Sequence, residues 1–250
     1  MRRIPASLGL LGLIAVACAG EQGVLKQERA DAHYNLGLAY LAGGDPKKAI
    51  GELTQAIGED PDKAIYHNAV GLAYLLDRRI DPAIASFQKA IQLDPKFSDA
   101  QNNLGSTYVQ RMQYDRAIEA FKRALSNPAY LTPEQAHLNL GNVYAVQGRF
   151  AEAVQEFKRA LDVSPDFAEA HNRLGHTYLL MGRSELAIAE LTIALKQAPE
   201  LATAHQSLGF AYLRVGEKGR AKAAFQKVLD LSPSAEMAAE AMRQLKQLDQ

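Results

Sequence analysis

The chain of 250 residues carries 28 basic and 28 acidic side chains, so its formal net charge is zero. These charges form no basic block or stripe, and we therefore expect no nucleic-acid partner. The single cysteine, Cys18, excludes an intramolecular disulfide. Disulfide usage consequently does not indicate a redox compartment for this protein.

The first residues of the chain have the layout of an export signal. Arg2 and Arg3 precede an apolar run over residues 8–17, and small residues lead into Cys18. The uncharged stretch is shorter than the roughly 20 residues of a comfortable membrane span. We predict that residues 1–17 are a cleaved lipoprotein signal peptide. An ordinary cleaved signal and an uncleaved anchor are the alternative interpretations.

The segment Ala15-Val16-Ala17-Cys18 resembles the lipobox of bacterial lipoproteins, although alanine stands where leucine is commonest. The resemblance implies cleavage before Cys18, lipidation of Cys18, and release to the periplasmic face of the outer membrane, since Ala19 rather than aspartate follows. We interpret residues 18–29 as the lipidated cysteine and a tether. Residues 19–29 would span at most about 40 Å when fully extended, which holds the next part of the chain near the membrane.

A six-fold repeat occupies most of the remaining chain. Its marker is a glycine that recurs at intervals of 34 residues, with one interval of 36, at Gly37, Gly71, Gly105, Gly141, Gly175 and Gly209. A tyrosine follows each glycine by three positions, an alanine by twelve, and a large apolar residue by sixteen. This pattern resembles the tetratricopeptide repeat, a helix-turn-helix unit. The resemblance implies an all-α fold, a right-handed α-solenoid of six repeats.

The predicted repeats cover residues 30–63, 64–97, 98–131, 134–167, 168–201 and 202–235. Residues 236–250 are predicted to form a capping helix whose apolar face is Ala238, Ala241, Met242 and Leu245. The turn inside a repeat is marked by glycine in four units, whereas Arg78 and Met112 take that position in the other two.

The sequence contains no motif that predicts catalysis, and we expect neither an enzyme nor a cofactor. Five histidines lie four residues before a repeat glycine, at His33, His67, His137, His171 and His205. Equivalent residues of successive repeats are about one helix-pair layer apart, too far to share a metal ion whose bonds to nitrogen are about 2.1 Å. We therefore interpret these histidines as packing residues and expect no metal site.

The inner face of such a solenoid is where a peptide partner is expected to bind. In the first two repeats the predicted partner-binding positions are Tyr34, Asn35, Leu38, Leu41, Asn68, Ala69, Leu72, Leu75 and Leu76. In the third to fifth repeats the corresponding positions are mostly polar, namely Asn102, Asn103, Ser106, Gln110, Asn139, Asn142, Asn172, Arg173 and His176. An apolar groove favours the apolar face of an amphipathic helix. The alternative is that Leu41, Leu72 and Leu75 are buried against neighbouring helices.

The junction between the third and fourth repeats narrows the resemblance further. Its two-residue insertion reads Asn127-Pro128-Ala129-Tyr130-Leu131-Thr132-Pro133-Glu134 and resembles the type IV pilus biogenesis pilotins. That resemblance implies a non-catalytic outer-membrane lipoprotein that binds an amphipathic segment of the pilus secretin and promotes secretin assembly. We expect the protein to be monomeric. Two alternatives stay open: a periplasmic lipoprotein adaptor that docks peptidoglycan hydrolases or a protease, and a metal-binding or enzyme-accessory protein.

Overall fold

In the computed structural model the chain is described over residues 7–231 and 234–249, with side chains from residue 24 onward. Within these residues it forms thirteen α-helices and no strand, which confirms the predicted all-α class. In chain order they are α1 (Ser7–Ala42), α2 (Pro46–Glu59), α3 (Ala64–Leu76), α4 (Ile80–Leu93), α5 (Ser98–Gln110), α6 (Tyr114–Leu125), α7 (Pro133–Val146), α8 (Phe150–Val163), α9 (Ala168–Leu180), α10 (Ser184–Gln197), α11 (Ala202–Arg214), α12 (Lys218–Asp230) and α13 (Ala235–Leu248).

The helices belong to two compact units, which are residues 1–113 and 114–250. In the first unit α1 packs against α2 and α3 against α4, and the pairs are joined by contacts between α2 and α3. In the second unit the pairs are α7 with α8, α9 with α10 and α11 with α12, followed by α13 against α12. Each unit is therefore built from stacked helix-turn-helix pairs, as the repeat predicts.

The recurring glycine lies against the large apolar side chain of the second helix of its pair. A Cβ atom built on Gly71 would lie 2.6 Å from Cε1 of Phe87, and one on Gly209 would lie 2.7 Å from the same atom of Phe225. Both phenylalanines are fully buried. Any side chain at these positions would therefore displace the aromatic ring sixteen residues later, which explains why the glycine and the large apolar residue recur together.

The turns inside the pairs share one backbone hydrogen bond. The amide eight residues after the repeat glycine donates to the carbonyl of the repeat tyrosine, at 2.9 Å in Asp45 to Tyr40 and 2.8 Å in Arg149 to Tyr144. The residue before the donor adopts the left-handed conformation that glycine favours. Gly148 adopts it with a φ of 73°. Arg78 adopts it with a φ of 60°, although it carries the Cβ atom that glycine lacks.

The segment predicted as a tether, residues 18–29, lies within helix α1 rather than in an extended conformation. Ala30 is fully buried, and Nε2 of Gln27 donates to the hydroxyl of Tyr66 in α3 at 3.3 Å. A helix rises only about 1.5 Å per residue, so this segment spans less than the distance of about 40 Å that it would reach when fully extended. The end of the predicted tether is thus part of the first helix pair.

The predicted signal peptide occupies residues 1–17, and the predicted lipidation is at Cys18. Residues 1–6 lie outside the described residues, and so do the side chains of residues 7–23. No helix among the described residues is long and apolar enough to cross a membrane.

Helix α13 packs on α12, where Ala241 joins a buried cluster with Phe225 and Val228. Ser234 caps the helix by accepting a hydrogen bond from the amide of Met237 at 3.4 Å. The predicted apolar face is wrong at one position, because Met242 is 58% exposed. Met237, Leu245 and Leu248 pack against the cluster instead.

Candidate peptide-binding surfaces

Three leucines form an exposed apolar surface on the first two repeats. Leu38 on α1 and Leu72 on α3 are each 37% exposed, and Leu76, one turn after Leu72, is 50% exposed. We call this surface, defined by Leu38, Leu72 and Leu76, the unit-one groove. Asn35 is also exposed, whereas Tyr34, Leu41 and Leu75 are half-buried. Leucine exposure at this level is compatible with contact to a second chain.

Two of the predicted groove residues are not available on the surface. Ala69 is 3% exposed and packs in a cluster with Ala49 and Leu53. Asn68 is 9% exposed, and its Oδ1 accepts a hydrogen bond from Nδ2 of Asn103 at 3.0 Å. As exposed contact positions these two are wrong, because the stacking of neighbouring repeats covers them. Leu41 is partly buried against the same cluster as Ala69.

The aromatic rings of Tyr34 on α1 and Tyr66 on α3 pack against each other. The ring centroids of Tyr34 and Tyr66 are 5.1 Å apart with a tilt of 36°, a favourable aromatic arrangement. The hydroxyl of Tyr66 donates to Oδ1 of Asp31 at 2.5 Å. The pKa of Tyr66 is raised mainly by burial and secondly by this hydrogen bond. The same hydrogen bond is the main reason why the pKa of Asp31 is lowered.

The second unit carries an apolar surface that the sequence analysis missed. A cavity of about 430 Å³ opens between the first helices of two repeats and is lined by Asn142, Ala145 and Val146 of α7, by Phe157 of α8, and by Arg173, His176, Thr177 and Leu180 of α9. Val146 is 65% exposed and Leu180 is 50% exposed. We call this cavity the unit-two trough. The signal was in the sequence, since both residues stand five positions after a repeat glycine, as Leu76 does.

The polar side of the unit-two trough is set by two residues one turn apart on α9. Nε of Arg173 donates to Oε1 of Glu169 at 2.6 Å. Nδ1 of His176 lies 3.2 Å from the hydroxyl oxygen of Ser207. Removal from water and then the positive charge of Arg173 lower the pKa of His176. Both effects disfavour the charged form of the imidazole.

Most of the chain matches the sequence pattern of a known repeat family. The tetratricopeptide repeat pattern matches residues 15–64, 34–98 and 172–236, which together make up more than half of the chain. The chain belongs to the tetratricopeptide repeat family. Further matches to repeats of this family cover residues 86–119 and 141–182. No curated protein matches the sequence at a significant level.

Solved structures similar to this tetratricopeptide protein share its fold. The crystal structure of PilW, described as a widely conserved type IV pilus biogenesis factor, superposes with a TM-score of 0.78 at 24% identity, over 85% of this chain and 98% of PilW. PilF of Pseudomonas aeruginosa superposes with the same TM-score at 19% identity, over 87% of this chain and 98% of PilF. YrrB, described as having an unusual peptide-binding site, gives a TM-score of 0.61 at 23% identity, over 76% of this chain and 97% of YrrB.

The periodic histidines of this tetratricopeptide protein make hydrogen bonds either within their own repeat or to the end of the preceding repeat. Nδ1 of His137 lies 2.7 Å from Oε2 of Glu156, and the pairs His33–Glu52 and His171–Glu190 have the same distance. His67 and His205 instead place Nε2 within 2.8 Å and 2.9 Å of the carbonyl oxygens of Pro61 and Pro199. Among the described residues no group of three or more His, Cys, Asp or Glu side chains could hold a metal ion.

Proposed function

We propose that this tetratricopeptide protein is a non-catalytic outer-membrane lipoprotein scaffold that binds the type IV pilus secretin and promotes its assembly. The observation that carries the proposal is the unit-one groove, whose three leucines are exposed on two adjacent helices. The fold similarity to PilW, a type IV pilus biogenesis factor, supports the choice of the pilus machine over other partners.

The partner that fits the unit-one groove is the apolar face of an amphipathic segment. Leu72 and Leu76 are four residues apart on α3, so their side chains form one continuous stripe, and Leu38 is exposed on α1, which contacts α3. An amphipathic helix presents its own apolar residues with the same spacing of three and four positions. Binding would remove these leucines from water, which favours association by about 25 cal/mol per Å² of apolar surface.

Lipidation of Cys18 would supply the second part of the mechanism. A secretin subunit captured in the unit-one groove is then held at the membrane where the secretin ring assembles. Anchoring replaces a search in three dimensions by a local one, and so raises the effective concentration of captured subunits at the bilayer. The scaffold therefore needs no chemical step of its own.

The first experiment measures detergent-resistant secretin multimer in cells that lack this protein. We expect the multimer to be lost while the monomer is still made, and a Cys18→Ala variant to restore it poorly. Unchanged multimer in the deletion strain would refute the assignment to the secretin and leave the fold assignment intact.

The groove itself is tested with Leu38→Glu combined with Leu76→Glu. We expect partner binding to be abolished while the helix content is kept, because both side chains are already partly in water. The matched control is Leu131→Glu combined with Leu186→Glu, two leucines that are 92% and 46% exposed in the second unit. Secretin assembly that survives the first pair of changes in a folded protein would show that the unit-one groove is not the binding surface.

A further inference from the structure

We propose that one face of helix α1 docks an amphipathic helix of a partner protein, which stacks on the first repeat as a preceding repeat would. We call this face, defined by Ala32, Leu36 and Ala39, the open stacking face. It is separate from the unit-one groove. Leu36 and Leu38 are two positions apart in α1, so their side chains leave the helix about 200° apart around its axis.

The equivalent face is buried in each of the other five repeats. Its three positions lie five residues before, one residue before and two residues after the repeat glycine, and all three are buried in the second to sixth repeats. The central position shows this most clearly, because it holds a large apolar side chain. Its exposed fraction is 4%, 8%, 2%, 1% and 8%, respectively, in Val70, Leu104, Leu140, Leu174 and Leu208.

The first repeat keeps the residue types of this face but has no cover over it. Ala32 stands where four other repeats also have alanine, and Leu36 stands where four others also have leucine. Leu36 is nevertheless 42% exposed, and Ala32 and Ala39 are exposed as well. Each repeat of such an array contacts only its neighbours, so the first one has no preceding repeat to bury this face. The other end of the array is different, because α13 packs on α12 there.

Inside the chain, the element that covers this face is always the second helix of the preceding repeat. Contacts join α2 to α3, α4 to α5, α6 to α7, α8 to α9 and α10 to α11. In the first of these contacts, Ile50 and Ile57 of α2 pack against the cluster that contains Val70 and Ala73.

The covering helices share a sequence pattern that describes the expected partner. Ile50 and Ile57 are seven residues apart, and aliphatic residues recur at the same two positions of the next four second helices. Side chains seven positions apart lie on the same side of a helix. The occupant is therefore an amphipathic helix with an aliphatic residue at positions i and i+7. Its docking would remove Leu36 from water, as its counterparts are removed in the other repeats.

The protein itself has no second helix left to supply this cover within the described residues. Each of α2, α4, α6, α8 and α10 already contacts the first helix that follows it, and α12 contacts α13. A second copy of the protein has the same shortage, because its second helices are covered in the same way. The helix that fits the open stacking face is therefore supplied by a different protein.

The test uses a fluorescent peptide with the sequence of residues 149–164, which carries Val154 and Leu161 seven positions apart. Helices of this length are marginal in water, so the peptide is held helical by a lactam bridge between Gln155→Glu and Arg159→Lys, two exposed positions of α8. The control peptide has the same bridge and carries Val154→Gln and Leu161→Gln. In anisotropy titrations with the purified full chain, we expect saturable binding of the first peptide and at least tenfold weaker binding of the control. Equal binding of the two peptides would overturn the proposal.

Variants of the full chain then locate the site. Leu36→Glu should weaken peptide binding at least tenfold, whereas Leu38→Glu combined with Leu76→Glu should leave it unchanged. The reverse result would place the peptide in the unit-one groove and overturn the proposal. Because each variant leaves the other surface intact, failure of this proposal and failure of the proposed function are observed separately.

Urea denaturation checks the fold of these variants. Leu36→Glu should keep the wild-type midpoint because Leu36 is already partly in water, whereas Leu174→Glu, at a covered counterpart that is 1% exposed, should lower it. If Leu36→Glu does not fold, Ala39→Glu takes its place, since Ala39 is also exposed.

Two results would show a different occupant and overturn the assignment to a partner helix. The first is a wild-type dimer in sedimentation analysis that Leu36→Glu converts to a monomer, because a second copy would then cover the face. The second is binding of a Cys18→Ala chain to vesicles of phosphatidylethanolamine and phosphatidylglycerol that Leu36→Glu abolishes, because the face would then contact the membrane.

Discussion

The repeat glycine provides a sharp test of how the helix pairs are held together. Replacing Gly71 by alanine places a Cβ atom 2.6, 2.8 and 2.9 Å from Cε1, Cδ1 and Cζ of Phe87. Real Cβ atoms essentially never lie within 3.0 Å of such neighbours, and Phe87 is fully buried, so its ring has no open space to move into. Either the ring leaves its preferred position or α3 and α4 move apart.

The expected change in the free energy of unfolding of Gly71→Ala is the balance of two opposing effects. Overpacking a filled core by one methyl group costs about 1–3 kcal/mol, whereas alanine is favoured over glycine inside a helix by about 1 kcal/mol. We therefore expect Gly71→Ala to lower the free energy of unfolding by about 1 kcal/mol. The measurement is urea denaturation followed by circular dichroism, with the midpoint and the slope compared with the wild type.

Gly51 is the matched control, because it is a mid-helix glycine of the same unit with no atom within 4 Å of a built Cβ. Gly51→Ala gains the helix preference without the overpacking and should stabilise the protein by about 1 kcal/mol. The two variants should thus differ by about 2 kcal/mol and in sign. If Gly71→Ala stabilises as much as Gly51→Ala, the close contact with Phe87 is not the reason for the recurring glycine.

Two further predictions concern the polar contacts. Glu156→Gln should lower the free energy of unfolding by about 1–3 kcal/mol in urea denaturation, because this carboxylate is 8% exposed and accepts charge-assisted hydrogen bonds from Arg159 and His137. Glu52 is 23% exposed, so Glu52→Gln should lower the free energy of unfolding by less. Equal losses in the two variants would contradict the role of burial. Tyr66→Phe should raise the pKa of Asp31 towards its ordinary value of 3.8, measured by carboxyl-carbon NMR. The hydrogen bond from Tyr66 stabilises the charged carboxylate of Asp31, so the bond contributes to stability above pH 3.8, and this contribution is lost as the pH falls below 3.8. An Asp31 pKa that is unchanged in Tyr66→Phe would refute this role of the hydrogen bond.

The local structure of this protein could be predicted well from the sequence. The period of 34 residues, the glycines and the tyrosines predicted paired helices, because each marks a position where the backbone must turn or two helices must meet. Arg78 and Met112 were recognised as turn residues in place of glycine, and both have positive φ angles. The helical course of residues 18–29 was missed, because Gly20, Gly23 and the polar residues of that stretch were interpreted as a tether.

The surfaces that bind partners depend on how successive pairs stack, which no single repeat encodes. The exposure of Leu38, Leu72 and Leu76, and the burial of Asn68 by Asn103 of the next repeat, follow from contacts between residues that are far apart in sequence. The sequence by itself determined the helix-turn-helix repeat, because its signals act within one helix pair. Only the tertiary structure decided which groove residues face water, because side-chain exposure is set jointly by neighbouring repeats.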